Sequence, residues 1–367
     1  MDVIAISGSA EVHRGEHPED TTDPEPEDSV QIYKVETTNL IKSHDLVTLL
    51  SGTLHTGATV AHDKIYGLFG LLKPEILEGL NNANPPIIVN YDQPVEELYR
   101  DVARFLISHD SHLFLLQMHG TKRKLTDLPS WVPDWSVPKN FASTLISLED
   151  VEGLGDKAAH ATIRPSDNPN KLILGAKTLG DIEKVGMPFE QPPNKEDTMR
   201  SIEMVLKNWV AMLAIGPAIK PRVPEETRAE SIWRAIIANK DASMDEPPKE
   251  YASYFAALVS QMDLQSEIWD PPKQDNQKVN QRDIERFVGD VVWTCTDRRL
   301  CKMAYGSLCL APANSMEGDE LVFFVGGHTP FVIREYEHED KLIGPCYIHG
   351  FSLDGTAELE KEDIVLR

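Results

Sequence analysis

Apolar residues recur with helical spacing in the first third of the chain. Over residues 62–72 they stand at positions i, i+3, i+4 and i+7, which places them on one face of a helix. The same spacing predicts helices over residues 40–54, 94–106 and 111–118. We expect these segments to form a helical layer.

In the middle of the chain the pattern becomes typical of strands. Residues 171–176 and 179–185 are apolar segments bounded by Gly, Asp and Asn, which predicts two strands. Helical spacing then returns over residues 198–213, 226–239, 250–262 and 281–293. Short strands are predicted after that, at residues 299–303, 307–311, 320–325, 330–334, 342–348 and 358–364.

Many short strands separated by glycine-containing turns favour a small antiparallel barrel. If the strands near residues 171–185 join the same sheet, the helices between them are an insertion. We therefore predict an α+β fold with a helical layer and a small antiparallel β-barrel-like domain that carries a helical insertion. The expected parts are a tail (1–30), a helical region (31–125) and an α+β region (126–367), with strands at about 159–185 and 299–364 and the insertion at about 195–293.

Residues 128–138 do not fit either period. Three prolines and two tryptophans exclude a regular helix there, because proline removes a backbone donor and clashes with the preceding turn. We predict an ordered irregular segment in which Trp131 and Trp135 anchor the chain to the core, with Asp134 bonded to the backbone or to an arginine. The alternative is an aromatic binding groove.

Charge and composition narrow the class of protein. The formal net charge of −23 disfavours nucleic acid or an anionic membrane as a partner, because both need basic surfaces. Much of the acidity lies in residues 11–28, which are rich in Asp, Glu and Pro and predict a disordered tail. The sequence shows no signal peptide and no apolar run long enough to span a membrane, so we expect a cytoplasmic chain.

Candidate chemistry is sparse. The four cysteines, Cys295, Cys301, Cys309 and Cys346, form no C-x-x-C pair, and we expect reduced thiols rather than disulfides or zinc ligands. The sequence carries no nucleophile elbow, no phosphate-binding loop and no zinc-protease motif. We therefore predict no catalytic, cofactor-binding or metal-binding residues.

Several ordered segments resemble the fungal heterokaryon-incompatibility (HET) family. Residues 61–71 (AHDKIYGLFGL) resemble the family's P-R-D-K-(I/V)-Y-(A/G)-L-L-G-L, although Ala61-His62 replaces Pro-Arg. Residues 91–103 resemble Y-x-x-(S/P)-V-x-E-(V/L)-Y-x-D-x-A, and residues 128–135 match L-P-S-W-V-P-D-W throughout. Residues 298–312, 318–322, 327–334 and 343–350 resemble the family's carboxy-terminal blocks.

The resemblance singles out a set of motif residues, for which we expect structural roles. They are Asp63, Lys64, Tyr66, Gly70, Tyr99, Asp101, Trp131, Pro133, Asp134, Trp135, Gly318, Asp319, Pro330, Arg334, Gly344, Tyr347 and Gly350.

The family's defining amino-terminal blocks are absent upstream of Asp63, and its closing M-D-G-E is altered to Leu353-Asp354-Gly355-Thr356. The resemblance thus implies a HET protein without most of its HET domain. Residues 31–125 would then be the helical remnant that follows that domain.

Some clusters allow two interpretations. His109 and His112 share a helix face near His119 and would suit a metal, but we favour a solvated helix end. Asp63 and Lys64 either form a switch or place Asp63 as a favourable charge at a helix start, and we favour the second. The charged residues of 96–104 are expected on a solvated face. His349 and Cys346 should point to opposite faces of a strand.

The resemblance implies a non-enzymatic interaction or regulatory protein that acts in heterokaryon incompatibility, that is, in non-self recognition and programmed cell death. Such a role requires protein partners and no cofactor. Two alternatives remain open. One is a TIR-like effector that cleaves NAD, whose catalytic half would be missing here, and the other is a sensor of a small ligand or peptide.

Overall fold

The computed structural model describes residues 45–110, 113–138, 161–192, 194–216, 218–241, 243–262, 279–352, 356 and 358–367. These residues contain helices and a mostly antiparallel sheet, which confirms the predicted α+β class. All of them belong to one compact unit, Thr38–Arg367. The predicted acidic tail, residues 1–30, lies outside the described residues.

The first part of the chain is helical. Its elements are α1 (Leu46–Gly52), α2 (Asp63–Tyr66), α3 (Pro74–Asn81) and α4 (Val95–Asp110), with 3₁₀ turns at Phe69–Leu71 and Leu113–Met118. The continuous helix predicted over residues 62–72 is wrong. The α-helix ends at Gly67, a residue with low helix propensity, and the chain then tightens into a 3₁₀ turn. Helix α3 was not predicted, although Pro74 at its start has the fixed φ that suits a first helical position.

Four more helices lie between the two sets of strands. They are α5 (Thr198–Leu213), α6 (Arg228–Ile236), α7 (Tyr251–Gln261) and α8 (Gln281–Cys295). A 3₁₀ turn at Lys195–Asp197 precedes α5. Thr227 caps α6 by accepting a hydrogen bond from the backbone of Glu230, and Asn280 forms a capping box with Asp283 at the start of α8. These caps explain where α6 and α8 begin.

The strands run in chain order from β1 to β9. Their bounds are β1 (Ile163–Arg164), β2 (Leu172–Val185), β3 (Arg298–Met303), β4 (Leu308–Pro312), β5 (Glu320–Phe324), β6 (Phe331–Tyr336), β7 (Glu339–Pro345), β8 (Tyr347–Ile348) and β9 (Glu362–Leu366). Their order in the sheet is β5-β6-β7-β9-β2-β3-β4-β8, with β1 beside β2 and a further pairing of β2 with β5. Strands from both sides of the helical block therefore share one sheet, as predicted.

Five of these strands form a partial ring rather than a true barrel. Antiparallel pairs join β2 to β5, β5 to β6, β6 to β7 and β9 to β2. Between β7 and β9 the pairing is parallel and consists of one residue pair, Asp340 with Leu366. We call this single-pair contact the β7–β9 seam. The ring is weakest there, because one pair contributes little of the usual strand ladder.

Strand β2 connects the ring with the rest of the sheet. Its first part pairs with β9 and β5, and its last residues, from Ile182 to Val185, pair with β3. The register shifts between Thr178 and Gly180, where Gly180 has a φ of +124°. Glycine adopts this conformation without the strain that a side chain would cause. The two strands predicted at 171–176 and 179–185 are thus one strand with a bulge.

Buried apolar side chains form three clusters. The first joins α1 to α4, the Trp131 region and one face of the ring. The second joins α5 to α8 with Leu300, Leu308 and Leu310 on β3 and β4. The third contains Cys301 and Cys309, which point to the other face of the same strands. No helix among the described residues is long and apolar enough to cross a membrane.

Candidate functional site

The segment Leu128–Trp135 is irregular and buried. The Trp131 indole donates a hydrogen bond to the Asn170 carbonyl at 2.9 Å, and the Arg104 guanidinium lies 5.6 Å from the centre of its ring. Trp135 packs edge-to-face on Tyr99 with ring centroids 5.1 Å apart. Pro133 between the two tryptophans is buried as well. The segment therefore contributes apolar surface to the core rather than an open groove.

Asp134 supplies the polar anchor of this segment. Its carboxylate accepts hydrogen bonds from the backbone amides of Lys124, Leu125 and Ser136 at 2.7, 2.9 and 3.0 Å, and from the Ser136 hydroxyl. Burial alone raises the pKa of this carboxyl, but the hydrogen bonds from Leu125, Ser136 and Lys124 outweigh burial and hold the pKa below its usual value. The partners are backbone and a hydroxyl, not an arginine.

Two further side chains fix the backbone of the same segment. The Arg123 guanidinium donates to carbonyls of the segment, among them Pro129 at 3.0 Å and Val132 at 3.2 Å. The Ser130 amide donates to the Arg367 carbonyl at 2.7 Å, and the Ser130 hydroxyl accepts from the Leu342 amide at 2.9 Å. The irregular chain is thereby joined to β7 and to the residue after β9.

Lys64 lies in the core beside the end of α1. Its ammonium donates to the Thr53 carbonyl, to the Thr56 carbonyl at 2.8 Å and to the Thr56 hydroxyl at 3.0 Å. Burial lowers the pKa of Lys64 to about 8, because a buried ammonium loses hydration. The lysine therefore holds the carboxyl end of α1, where helix carbonyls lack partners.

Asp63 is exposed and does not share the oxygen atoms of Thr53 and Thr56 that bind Lys64. It accepts a hydrogen bond from the Tyr91 hydroxyl at 2.6 Å, which raises the pKa of Tyr91. Tyr66 is buried and donates through its hydroxyl to the Asn90 carbonyl at 3.2 Å. Adjacent motif residues thus have opposite environments: Lys64 and Tyr66 face the core, and Asp63 faces solvent. Gly70 is exposed on the 3₁₀ turn that follows.

The prediction that the charged residues of α4 lie on a solvated face is partly wrong. Asp101 is buried and forms a salt bridge with Arg100 at 2.9 Å. Arg104 donates to the Pro169 and Lys171 carbonyls at 2.7 and 2.8 Å, beside the start of β2. Tyr99 on the same helix donates to the Ala61 carbonyl at 2.7 Å. These side chains bind backbone from other parts of the fold, a requirement that spacing along one helix does not reveal.

The motif residues of the last strands make a second set of contacts. Arg334 binds Asp319 through two hydrogen bonds of 2.6 and 2.8 Å, and this contact raises the pKa of Arg334. Asp319 also accepts from the Met316 amide at 2.7 Å, which closes the turn that contains Gly318. Pro330 and Gly344 are both buried. Pro330 directly precedes β6, and Gly344 on β7 pairs with Val332 on β6. The arrangement stabilises the β5–β6 end of the sheet.

A buried cluster that the sequence did not indicate lies around His349. One imidazole nitrogen of His349 is 3.0 Å from the Glu226 carboxylate, and the other is 3.2 Å from the Tyr347 hydroxyl. The Ser231 hydroxyl also donates to Glu226 at 3.1 Å. Burial alone raises the pKa of Glu226, but hydrogen bonds, first from His349, bring it below its usual value. Gly350 follows with a φ of +81° and lies against Arg222.

This cluster ties the helical insertion to the sheet. Glu226 precedes α6, and His349 follows β8, so the pair joins distant parts of the chain. Lys302 on β3 makes a similar connection by donating to the Leu213 and Ile215 carbonyls at the end of α5. A single sequence offers no signal for the pairing of Glu226 with His349. His349 lies in the family-like segment 343–350, but Glu226 belongs to no recognised segment.

The cysteines and histidines are the remaining candidates. All four cysteines are free and buried, and burial raises the pKa of Cys295, Cys301 and Cys309. His109 is exposed and stacks on Phe105, His119 is buried, and His112 lies outside the described residues. In the part of the chain that the structure describes, no group of three or more His, Cys, Asp or Glu side chains is placed to hold a metal ion.

An open groove follows the outer face of α5. It is lined by Asp197, Arg200, Glu203, Met204 and Lys207, together with Pro192. Lys207 forms a salt bridge with Glu203 at 2.5 Å. The mixed charges favour no single class of ligand.

Three exposed apolar residues lie close together in sequence between α3 and α4. Ile88, Val89 and Tyr91 leave 55%, 57% and 54% of their surface exposed, and we call them the 88–91 patch. The Tyr91 ring packs at 5.4 Å against Tyr66 and at 5.6 Å against His62. Tyr91 therefore joins the patch to α2, the first part of the Asp63–Leu71 motif. The sequence did not show that Ile88 and Val89 face solvent.

Comparison with known proteins adds no relative: no family model, no curated protein and no solved structure matches this chain.

Proposed function

We propose that this chain is a non-enzymatic interaction protein that binds another protein through the 88–91 patch. The observation that carries the proposal is the exposure of Ile88, Val89 and Tyr91 as neighbours on one segment. Exposed apolar residues that stand alone are ordinary, whereas adjacent ones mark surfaces that bind partners. Ile88 and Val89 are already nearly half buried, so covering the exposed part would stabilise a complex by about 1 kcal/mol for each side chain.

The patch is held in a fixed shape before any partner binds. The Tyr91 hydroxyl bonds to Asp63, the Asn90 carbonyl accepts from Tyr66, and the Ile87 amide donates to the Leu80 carbonyl at 2.9 Å. A surface that is already ordered loses little conformational freedom on binding. This order supports a binding role over that of a flexible loop.

Charge decides which partner the patch suits. The chain carries a net charge of −23, so two copies repel each other. Asp63 and Asp92 stand at the patch itself, since Asp63 binds Tyr91 and Asp92 is the next residue. A partner segment with apolar side chains flanked by Lys or Arg would complement both properties. We therefore propose a different protein with such a segment as the occupant.

The resemblance to the HET family supplies a biological setting for this proposal. Tyr91 joins the 88–91 patch to the Asp63–Leu71 motif and begins the next segment that resembles the family. We propose that the chain takes part in non-self recognition that leads to programmed cell death, as a regulator rather than as the killing activity. Expression of this chain alone in a fungal cell should leave viability unchanged. Death caused by this chain alone would contradict the regulatory role while leaving the patch to be tested by binding.

The binding proposal is tested with peptides from a random display library, selected on the immobilised chain. We expect enrichment of peptides that combine apolar side chains with Lys or Arg. The Ile88→Asp, Val89→Asp double variant should weaken their binding at least about tenfold, because each of the two side chains contributes about 1 kcal/mol.

The matched control is Ile215→Asp, which changes an isoleucine with 57% exposure outside the patch. It should bind the selected peptides as the unaltered chain does. Equal binding by the double variant, or enrichment of acidic peptides, would refute the proposed surface.

A further inference from the structure

Four carboxylates gather at one edge of the strand ring, each on a different strand. They are Glu320 on β5, Glu335 on β6, Asp340 on β7 and Glu362 on β9. Asp340 and Glu335 are direct cross-strand partners in the β6–β7 pair. Like charges directly opposite each other destabilise a strand pair. We call these four residues the carboxylate cluster.

A threonine connects two members of the cluster. The Thr178 hydroxyl on β2 lies 2.5 Å from a carboxylate oxygen of Glu320 and also contacts an oxygen of Glu362. A hydroxyl has one hydrogen, so it donates to one carboxylate and can accept only from a group that carries a proton. This arrangement is complete when one of the two glutamates is protonated, and with both ionised one contact is repulsive.

The charges around Asp340 act in the same direction. Burial, together with Glu320, Glu335 and Glu362, raises the pKa of Asp340 to about 6. Cations on the neighbouring strands make other contacts: Lys171 pairs with Glu339, Lys177 donates to the Thr356 carbonyl, and Lys341 and Arg367 lie over the Tyr336 ring. Asp340 therefore keeps its proton to a higher pH than a separate carboxyl group does.

Asp340 stands at the weakest point of the ring. It forms the single residue pair of the β7–β9 seam, and its carbonyl accepts a hydrogen bond from the Arg367 amide at 3.0 Å. Glu362 is the first residue of β9, the strand on the other side of the seam. Repulsion within the cluster thus acts across a contact that has little backbone pairing to resist it.

We propose that the β7–β9 seam is a proton-controlled latch, closed when the carboxylate cluster holds a proton and loosened when the cluster is fully ionised. The latch follows from the shared Thr178 hydroxyl, the opposed Asp340 and Glu335, and the single-pair seam. It does not depend on the 88–91 patch or on any partner.

The sign of the pH dependence follows from linkage. In the folded chain the pKa of Asp340 lies above the ordinary carboxyl value, so the folded state binds the proton more tightly than the unfolded state. The stabilisation is complete below the unfolded pKa of about 3.9 and is lost as the pH rises through about 6. The latch is therefore expected to open between pH 5 and pH 7.5.

Hydrogen exchange tests the latch directly. We expect protection of the β9 amides, corrected for intrinsic exchange rates, to fall about threefold between pH 5 and pH 7.5. This is less than the roughly tenfold that full linkage allows over the same interval, because Asp340 is partly exposed. Asp340→Asn, which keeps the shape without the charge, should hold the low-pH protection at both values. Protection of β3 and β4 should not follow this pH dependence.

Two further variants complete the experiment, one as a control and one as a second neutral substitution. Glu75→Gln removes a carboxylate on α3, far along the chain from the cluster, and should leave the pH dependence of β9 unchanged. Glu362→Gln offers a second neutral variant in case Asp340→Asn does not fold. The latch is refuted if β9 protection in the unaltered chain does not change with pH, or if it changes equally in both neutral variants.

Discussion

The segments Leu128–Trp135 and Pro85–Tyr91 are both apolar, both rich in proline and both outside regular secondary structure. They nevertheless differ in burial. The first is buried, and the second exposes Ile88, Val89 and Tyr91. Their polar neighbours explain the difference. Asp134, Arg123 and Ser130 satisfy the backbone of the first segment inside the core, whereas the hydrogen bonds of the second hold it at the surface through Tyr66 and Leu80.

An irregular chain can therefore enter a core only where side chains replace the hydrogen bonds that a helix or strand would supply. Apolar content alone does not decide burial. The two segments can be separated experimentally, because changes in the first should reduce stability and changes in the second should reduce binding.

Trp131→Ala should have the largest effect on stability. It removes a fully buried ring, its hydrogen bond to Asn170 and its contact with Arg104, and we expect a loss of about 3–5 kcal/mol in the free energy of unfolding. Urea denaturation followed by circular dichroism measures this change. Trp293→Ala on α8, at a partly exposed tryptophan, serves as the control and should cost clearly less. Equal losses would show that Trp131 is not an anchor of its segment.

Asp134→Asn should have the next largest effect. An amide accepts fewer hydrogen bonds than a carboxylate and cannot match three backbone donors and a hydroxyl, so we expect a loss of about 1–3 kcal/mol at pH 7. The neighbouring exposed Asp127→Asn should change stability by less than about 0.5 kcal/mol.

The effect of Asp134 also has a defined pH dependence. Its folded pKa is depressed, so its stabilisation is present above the unfolded pKa of about 3.9 and is lost as the pH falls through the lower folded value. The difference in melting temperature between the unaltered chain and Asp134→Asn should shrink as the pH falls below about 4. A difference that stays constant down to pH 2 would contradict this account.

Tyr91→Phe should have a small effect on stability and a measurable one on binding. It removes the hydrogen bond to Asp63 at 2.6 Å, an exposed contact that competes with water and contributes little to stability. Because that bond fixes the Tyr91 side chain against Asp63, selected peptides should dissociate faster from the variant. Tyr305→Phe, at an exposed tyrosine in the β3–β4 turn, is the matched control and should leave dissociation unchanged.

Ile88→Asp should have the smallest effect on stability. More than half of the Ile88 side chain is already exposed, so we expect a change within about 0.5 kcal/mol in the free energy of unfolding. The same variant should lose most peptide binding. A loss of stability comparable to that of Trp131→Ala would show that Ile88 supports the core, and the contrast between the two segments would then fail.

The sequence predicted the regular elements far better than the contacts between them. Periodicity located the helices of the insertion and most of the strands along the chain, because a helix or strand with one buried face has a regular pattern. It did not predict the order of the strands in the sheet. It failed where the backbone changes type within one apolar run, as at Gly67, where a helix gives way to a 3₁₀ turn.

The site was less predictable for a physical reason. The burial of Lys64 among Thr53 and Thr56 depends on where α1 ends, and the pairing of Glu226 with His349 depends on how the insertion meets the sheet. Exposure of Ile88 depends on how the assembled fold packs around residues 87–91. Each of these properties belongs to the assembled fold and has no local pattern.

Strand β2 has a consequence for how the chain acquires its structure. Its partners β3, β5 and β9 all lie on the far side of the helical insertion, and the last of them, Glu362–Leu366, is at the carboxyl end. Ring assembly must therefore wait until β9 has left the ribosome, while the insertion can form its helices earlier. Until then β2 can pair with β1 but cannot complete its pairing with β9. We therefore expect a nascent chain stalled before β9 to bind chaperones and aggregate more than one stalled after it.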